Sequence, residues 1–258
     1  MKIFRVDLEG REQYLLALEG RFHRLEGNPF GEFTAGDDLG PGESAASLPA
    51  GARLLAPVVP TKIVAIGLNY RDHAAEQKKP LPPEPMVFIK PASAVIAGGE
   101  AICLPPGVGR VDYESELAVV IRRRATKVPR ERALDYVLGY TCANDVTARD
   151  LQNRGVQYSH CKGYDTFAPL GPCIATRLDP AGLAVQGRLN GELRQDSSTR
   201  QLIFPVDRLI EYISAIMTLE PGDVISTGTP SGIGRLAPGD VFTVTVEGVG
   251  DLTNAVVQ

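Results

Sequence analysis

The chain has 258 residues, of which 43% are hydrophobic, enough for one large domain or for a large and a small one with a proper core. Lys and Arg (27) nearly balance Asp and Glu (31), giving a net charge of −4 with no extended basic face, so neither a nucleic-acid partner nor a membrane is expected. The four cysteines form no Cys-x-x-Cys pair and no signal peptide is expected, which predicts a cytoplasmic location.

Residues 1–56 are predicted to form a small β-rich N-terminal domain. Polar and apolar side chains alternate from Lys2 to Leu8, and a second strand-like run follows from Gln13 to Leu18. Many glycines and prolines along the whole chain predict turns and short strands, with helix as the minority. Residues 57–258 are expected to form the main domain, within a mixed β (α+β) fold.

The main domain is predicted to open with a buried strand from Thr61 to Leu68 and a short helix from Asn69 to Glu76. His73 and Glu76 are three residues apart and would share one face of that helix. A carboxylate raises the basicity of an imidazole and fixes its orientation, as a general base acting on water requires. An ordinary surface ion pair is the alternative. The proline-rich stretch that follows, as far as Pro85, predicts an exposed lid.

A central strand is predicted from Val111 to Ile121, acidic at its start and apolar at its end. Because side chains alternate along a strand, Glu114 and Glu116 would project from the same face. Two carboxylates this close are unfavourable unless a cation or a shared proton lies between them, and a hard divalent ion is the simplest solution. A solvated strand edge is the alternative.

A third acid of interest is predicted at the end of a later strand. The run from Tyr140 to Asp145 is typical of a strand and would deliver the Asp145 carboxylate at its end. The other predicted elements are a helix from Glu131 to Leu138, a capping box at Thr147 opening a helix with Arg149 and Gln152, a loop holding Lys162, strands joined by tight turns from Leu183 onward, and a helix from Val206 to Met217.

Five motifs in this order and spacing resemble those of the fumarylacetoacetate hydrolase family. They are Asn69-Tyr70-x-x-His73-x-x-Glu76, Asp112-Tyr113-Glu114-x-Glu116, Asn144-Asp145-x-x-x-Arg149-Asp150-x-Gln152, Lys162-Gly163 with Pro169-Leu170-Gly171-Pro172, and Ser226-Thr227-Gly228-Thr229-Pro230. They cover residues 61 to about 245. The resemblance implies an enzyme, a mixed β-sandwich roll in the main domain and a homodimer. It also implies that Mg²⁺ or Mn²⁺ is bound by Glu114, Glu116 and Asp145.

The resemblance further implies catalytic roles for three residues. Lys162 matches the family's active-site lysine, whose charge would stabilise an enolate. His73 and Glu76 match a dyad that positions and deprotonates a water. Substrate contacts are expected from Tyr70, Arg149, Gln152 and Thr229, with an internal salt bridge as the alternative for Arg149.

The leading functional hypothesis is a metal-dependent enzyme that cleaves a C–C bond in a 2-oxo or 2,4-dioxo acid, by hydrolysis or decarboxylation. Acylpyruvates, fumarylpyruvate and oxaloacetate are the expected kind of substrate, since a 2-oxo acid offers two oxygens to a divalent ion. The alternative is an isomerase or hydratase of 2-hydroxydienoates such as 2-hydroxyhepta-2,4-diene-1,7-dioate, which needs proton delivery but no activated water.

Two further observations bear on these hypotheses. A ligand-binding protein that had lost its activity would be expected to lack some of the catalytic and metal-ligating side chains, whereas all six are present in this chain. Leu68 stands directly before Asn-Tyr, where relatives acting on short anionic substrates often have Arg. We therefore expect a substrate with a longer or less charged tail.

Overall fold

The computed structural model describes residues 1–152 and 157–258, and it confirms a mixed fold dominated by β-sheet. The N-terminal part is built of strands, as predicted. They are β1 (Lys2–Leu8), β2 (Arg11–Leu18), β3 (Arg21–Gly27), β4 (Phe33–Pro41) and β5 (Ala52–Leu54).

The rest of the described chain consists of fifteen further strands connected mostly by short segments. They are β6 (Ile63–Gly67), β7 (Met86–Lys90), β8 (Val95–Ile96), β9 (Ile102–Cys103), β10 (Val111–Tyr113), β11 (Ser115–Ile121), β12 (Val137–Asn144), β13 (Thr147–Ala148), β14 (Ala168–Ala175), β15 (Ala184–Leu189), β16 (Glu192–Ser198), β17 (Val224–Ser226), β18 (Gly234–Arg235), β19 (Val241–Val246) and β20 (Gly250–Val257).

Helices are short and few. The α-helices of the described residues are α1 (Arg71–Glu76), α2 (Arg149–Gln152), α3 (Ser159–Lys162) and α4 (Val206–Ile216). The 3-10 segments are Ala45–Ser47, Ala92–Ala94, Arg130–Tyr136 and Thr199–Gln201. No helix in the described ranges is long and apolar enough to cross a membrane.

The strands form three sheets. Twelve strands belong to the largest sheet, whose main path runs β4-β3-β2-β1-β14-β12-β11-β17-β6-β7. Five strands form a second sheet in the order β16-β15-β19-β20-β9, and β13-β10-β18 form a small third one. Most pairs are antiparallel, but β17 runs parallel to β6. Since β1 pairs with β14, the N-terminal strands extend the largest sheet. The proposed division at residue 57 stays a prediction.

Alternation along β11 explains how that strand divides the interior. Leu117, Val119 and Ile121 point into a core shared with the five-stranded sheet, whereas Ala118 and Val120 lie in a second core on the other face. All five side chains are fully buried. A strand buried on both faces is a rigid support for side chains at its end.

The predicted single strand from Val111 to Ile121 is wrong in one respect, because it breaks at Glu114. The residues before the break pair with β13 and β18, and those after it pair with β12 and β17. At the break, the Glu114 N–H donates to the side-chain oxygen of Asn144, and the Glu114 carbonyl accepts from the N–H of Asp145. The chain therefore changes sheets at the residue that carries the first carboxylate.

Three other predictions need correction. The predicted helix from Glu131 is a 3-10 segment that ends at Tyr136, after which the chain enters β12. Thr147 forms no capping box, because it lies in β13 and α2 begins only at Arg149; its hydroxyl donates to the carbonyl of Asp145. Lys162 lies in the short helix α3 and not in a loop. The helix predicted from Val206 is confirmed as α4, which buries Leu209, Ile210 and Ile213.

Candidate active site

The three predicted metal-binding carboxylates converge in the structure. Glu114 lies at the break between β10 and β11, Glu116 is the second residue of β11, and Asp145 follows the last residue of β12. β11 and β12 pair with Ser115 opposite Asn144, which brings the two strand ends together. One carboxylate oxygen from each residue lies within 4.8 Å of the others, and all three side chains are buried.

Lys162 reaches this cluster from α3. Its ammonium group donates to Glu114 Oε2 at 2.9 Å and also to Asp145 Oδ2. Burial disfavours the charged ammonium, but the two carboxylates outweigh it and hold the pKa of Lys162 above its usual value. Lys162 is therefore a buried, permanently charged group in contact with two of the candidate metal ligands.

A second buried lysine, Lys90, was not predicted as part of the site. It ends β7 and donates to Asp145 Oδ1, to the carbonyl of Phe167 at 2.7 Å and to the carbonyl of Val146 at 3.3 Å. Burial lowers the pKa of Lys90, and Asp145 opposes that effect. Its sequence signal was the alternation of β7, where Phe88 and Lys90 both point inward.

Arg149 is engaged by acids of the protein, in agreement with the salt-bridge alternative. Its Nε donates to Asp112 Oδ2 at 2.8 Å, and its other guanidinium nitrogens donate to Glu114 and to the side-chain oxygen of Gln152. Burial opposes the charge of Arg149, but Glu114 and Asp112 raise its pKa. Gln152, held in this way, lines the cavity of the site.

The glutamates differ strongly in their electrostatic surroundings. Burial raises the pKa of Glu114, but Lys162 and Arg149 outweigh burial and lower it to about 2. Burial and the charge of Asp145 raise the pKa of Glu116 to about 8. Within the described residues, Glu116 forms no ion pair and accepts hydrogen bonds from the Ser226 hydroxyl and, at 2.8 Å, the Gly228 N–H. Its charge is the least compensated in the cluster.

The turn from Ser226 to Pro230 binds a carboxylate of the protein itself. The N–H of Gly228 already holds the carboxylate of Glu116. Gly228 adopts φ +101°, and a Cβ atom there would lie 2.8 Å from Cβ of Asn69. Glycine is therefore required at this position both for the backbone conformation and for the close packing.

Thr229 lines the cavity and is fixed by a residue that the sequence did not single out. The Thr229 hydroxyl donates to the carbonyl of Ser115 at 3.0 Å and accepts from Gln195 Nε2 at 2.9 Å. Gln195 is fully buried in β16, and its side-chain oxygen accepts from the N–H of Ser115. A glutamine in an exposed-looking hairpin gave no sequence signal for this role.

The predicted dyad is assembled at the same cavity. Nδ1 of His73 lies 2.9 Å from Glu76 Oε2, and Glu76 Oε1 accepts from the N–H of Gly232 at 2.9 Å. Nε2 of His73 lies 3.0 Å from Nε2 of Gln77. The imidazole is 7% exposed, so α1 places it against the site and away from bulk solvent.

The cavity between these groups has a volume of about 50 Å³. The residues that line it include Leu68, His73, Gln77, Glu116, Gln152, Lys162 and Thr229. Tyr70, predicted to contact substrate, is fully buried and does not line this cavity, and its hydroxyl has no hydrogen-bond partner among the described residues. Burial and the nearby Glu116 raise the pKa of Tyr70, so the hydroxyl keeps its proton.

The donor set fits a hard divalent cation. Carboxylate oxygens are the ligands that Mg²⁺ and Mn²⁺ prefer, and three of them converge at one buried point. The charge of such a cation would also compensate the carboxylate of Glu116, which has no ion pair within the described residues. Glu114, Glu116 and Asp145 are therefore suited to hold such an ion.

The fold is dominated by β-sheet, and it buries three converging carboxylates in contact with a lysine, a donor set suited to a divalent cation. Residues 62–257 match the family model described as fumarylacetoacetate (FAA) hydrolase C-terminal. The chain belongs to the fumarylacetoacetate hydrolase family.

Named relatives of the chain are enzymes with different activities. An oxaloacetate tautomerase of Xenopus laevis, described as mitochondrial, is 43% identical over 79% of this chain and 68% of its own. The structure of a 5-carboxymethyl-2-hydroxymuconate delta-isomerase from Mycobacterium smegmatis matches with TM-score 0.87 at 41% identity, covering 100% of this chain and 98% of that one. A fumarylpyruvate hydrolase from Pseudomonas aeruginosa, in complex with Mn²⁺ and pyruvate, matches with TM-score 0.73 at 34% identity, covering 80% and 91%.

Proposed function

We propose that this protein is a divalent-metal-dependent enzyme that interconverts the keto and enol forms of a 2-oxo acid. The observation that carries the proposal is the position of Lys162, whose buried ammonium lines the cavity while contacting Glu114 and Asp145. A fixed positive charge in a dry pocket stabilises the negative oxygen of an enolate far better than solvent does.

Each residue of the site has a distinct role in this proposal. Glu114, Glu116 and Asp145 would hold Mg²⁺ or Mn²⁺, which would supply a Lewis acid to the 2-oxo group when bound. Lys162 would place its charge beside the same oxygen. Substrate would be oriented by Gln152 and Thr229, both of which line the cavity, with Arg149 holding the side chain of Gln152 in place.

Two observations favour isomerisation as the overall reaction. The tautomerase and isomerase relatives are 43% and 41% identical, and the hydrolase relative is 34% identical. The amide of Gln77 also occupies the hydrogen-bonding direction at Nε2 of His73 that an attacking water would need. Keto-enol exchange requires a proton to be moved at carbon, and it does not require an activated water.

Cleavage of a C–C bond is the second candidate, by hydrolysis or by decarboxylation. The assembled pair of His73 and Glu76 favours it, because a carboxylate-oriented imidazole facing a cavity is suited to deprotonate water. The Mn²⁺- and pyruvate-bound fumarylpyruvate hydrolase is a relative with such a reaction. Cleavage therefore stays a prediction for this chain.

One assay separates these reactions. Purified protein, stripped with EDTA and reloaded with Mg²⁺, would be given enol-oxaloacetate and acetylpyruvate. Loss of the enol absorbance would report isomerisation, and pyruvate measured with lactate dehydrogenase would report cleavage. We expect Mg²⁺-dependent loss of the enol that exceeds pyruvate production. Glu131→Gln, which changes an exposed glutamate without side-chain partners in the described structure, is the control for Glu116→Gln. Pyruvate formed as fast as the enol disappears would support cleavage instead.

We also propose that the chain is a cytoplasmic homodimer. Strand β7 lies at the edge of the largest sheet, and it exposes Met86 (41%) and Ile89 (39%) to solvent. An exposed edge strand with apolar side chains is a surface that a second chain can cover. Light scattering coupled to size exclusion gives the mass in solution, and a monomeric mass at micromolar concentration would contradict the proposal.

A further inference from the structure

Gln77 makes a direct contact with the catalytic dyad that no motif indicated. It is the C-cap residue of α1, and its backbone N–H donates to the carbonyl of His73. Its side-chain Nε2 lies 3.0 Å from Nε2 of His73, and the side chain is partly buried where it lines the cavity. The chain leaves the packed helix directly afterwards, since Lys78 adopts φ +54° and residues 78–81 are exposed.

The hydrogen-bond partners determine which nitrogen of the neutral imidazole carries the proton. The carboxylate of Glu76 can only accept, so Nδ1 of His73 must carry the proton in this contact. Nε2 then has a free lone pair, and Gln77 must present its amide N–H to it. The opposite end of the dyad is fixed, because Glu76 is bound by the backbone N–H of Gly232. The Gln77 side chain is therefore the hydrogen-bond partner of the proton-accepting nitrogen.

We propose that Gln77 is a positioning residue that determines which reaction the site carries out. Water can bind Nε2 of His73 only when the Gln77 amide has left it, so this contact competes with hydrolysis and favours keto-enol exchange. This inference rests on the proposed function. It assigns to one uncharged side chain the choice between two reactions that use the same carboxylates and the same lysine.

Hydrolysis of a 2,4-dioxo acid shows what Gln77 blocks. Nε2 of His73 takes a proton from water while the water oxygen forms a bond to the acyl carbon. The C–C bond then breaks, and its electron pair leaves as the enolate of a 2-oxo acid, which takes up a proton to become the keto acid. The sequence begins with a water hydrogen-bonded to Nε2, and the proton taken by His73 is the one that the enolate receives at the end. The Gln77 amide holds that position at 3.0 Å.

The test compares Gln77→Met, which keeps the length of the side chain but cannot hydrogen-bond, with the parent. Gln201→Met is the matched control, because Gln201 is exposed and has no side-chain partner in the described structure. Rates of acetylpyruvate hydrolysis and of enol-oxaloacetate ketonisation would be measured for each protein. Loss of one hydrogen bond predicts that the ratio of hydrolysis to ketonisation rises about two- to tenfold in Gln77→Met and Gln77→Ala, and stays constant in Gln201→Met.

A second readout is independent of activity. Long-range proton-nitrogen NMR on protein labelled with ¹⁵N-histidine would identify His73 among the three histidines by its absence in His73→Asn. We expect a protonated Nδ1 and an unprotonated Nε2 in the parent, with the Nε2 resonance shifted in Gln77→Met and unchanged in Gln201→Met. A protonated Nε2 in the neutral parent ring, or a ratio of rates unchanged by both Gln77 variants, would overturn the inference. A parent without either activity would instead refute the proposed function, and the NMR result would still decide where Gln77 lies.

Discussion

The Glu116→Gln variant should be more stable than the parent when no metal is bound. Glu116 is fully buried, lacks an ion pair among the described residues and has its pKa raised to about 8 by burial first and then by the charge of Asp145. A glutamine keeps an oxygen that can accept from Ser226 and Gly228, and its amide nitrogen would lie close to the carboxylates of the cluster. The substitution therefore removes a charge without leaving a buried polar atom unpaired.

The size of the effect follows from linkage between protonation and folding. With a pKa near 4.5 in the unfolded chain and about 8 in the folded one, the buried carboxyl costs about 3 kcal/mol at pH 7. Because the folded pKa is raised, the favourable contribution is complete below the unfolded pKa and is lost as pH rises through the folded one. The stability difference between variant and parent should thus grow from about 1 kcal/mol at pH 5 to about 3 kcal/mol at pH 7.

Urea denaturation in EDTA at pH 5, 6, 7 and 8 would measure this difference, with Glu131→Gln as the control that should match the parent throughout. Saturating Mg²⁺ should reverse the order, because an ion that binds only the folded state stabilises the parent by mass action and the variant much less. A variant no more stable than the parent in EDTA at pH 7, or a difference that is the same at pH 5 and pH 8, would refute the reasoning.

Three further predictions follow from single contacts. His73→Ala should lower kcat for acylpyruvate hydrolysis by about 10² to 10⁴, while Lys162→Ala should impair both ketonisation and hydrolysis. His23→Ala is the control, and a parental rate of hydrolysis in His73→Ala at saturating metal would exclude a role for the dyad. Lys90→Met should lower the free energy of unfolding by about 3–5 kcal/mol, because Asp145 loses a buried cation. Lys127→Met, at an exposed position, should leave the free energy of unfolding unchanged. Equal urea midpoints for the two variants would show that Lys90 does not stabilise Asp145. Gly228→Ala should weaken Mg²⁺ binding in calorimetry, because its Cβ would lie 2.8 Å from Asn69. Gly239 has a similar φ with open space around it, so Gly239→Ala should bind Mg²⁺ as the parent does. Equal affinities of the two variants would contradict the packing argument.

Much of the site was predictable because its signals are local in sequence. The two-residue spacing of Glu114 and Glu116 and the three-residue spacing of His73 and Glu76 depend only on strand and helix geometry, and the structure brings each pair together. Alternation likewise predicted β1, and strands were also predicted over most of β2 and the second half of β12. Such local patterns predict structure because burial of one face of an element determines which of its side chains point inward.

The remaining features depend on contacts between distant segments. The break at Glu114 is stabilised by the side chain of Asn144, thirty residues later, so no local pattern around Glu114 reveals it. Lys90 becomes part of the site only because β7 ends beside Asp145 and Phe167. Gln195 in β16 contacts Thr229, a residue of the turn after β17, thirty-four positions later in the chain. A lysine or glutamine in a short strand carries no sign of such a partner until the topology is known.

The position of a bound manganese ion tests the central claim most directly. Crystals grown with Mn²⁺ and oxalate, a 2-oxo acid analogue, would be measured for anomalous scattering near the manganese absorption edge. We predict one strong peak in the cavity, about 2.0–2.3 Å from carboxylate oxygens of Glu114, Glu116 and Asp145, with oxalate beside Lys162. A manganese peak away from these carboxylates, or none in a crystal that still converts the enol acid after exhaustive EDTA treatment, would contradict it.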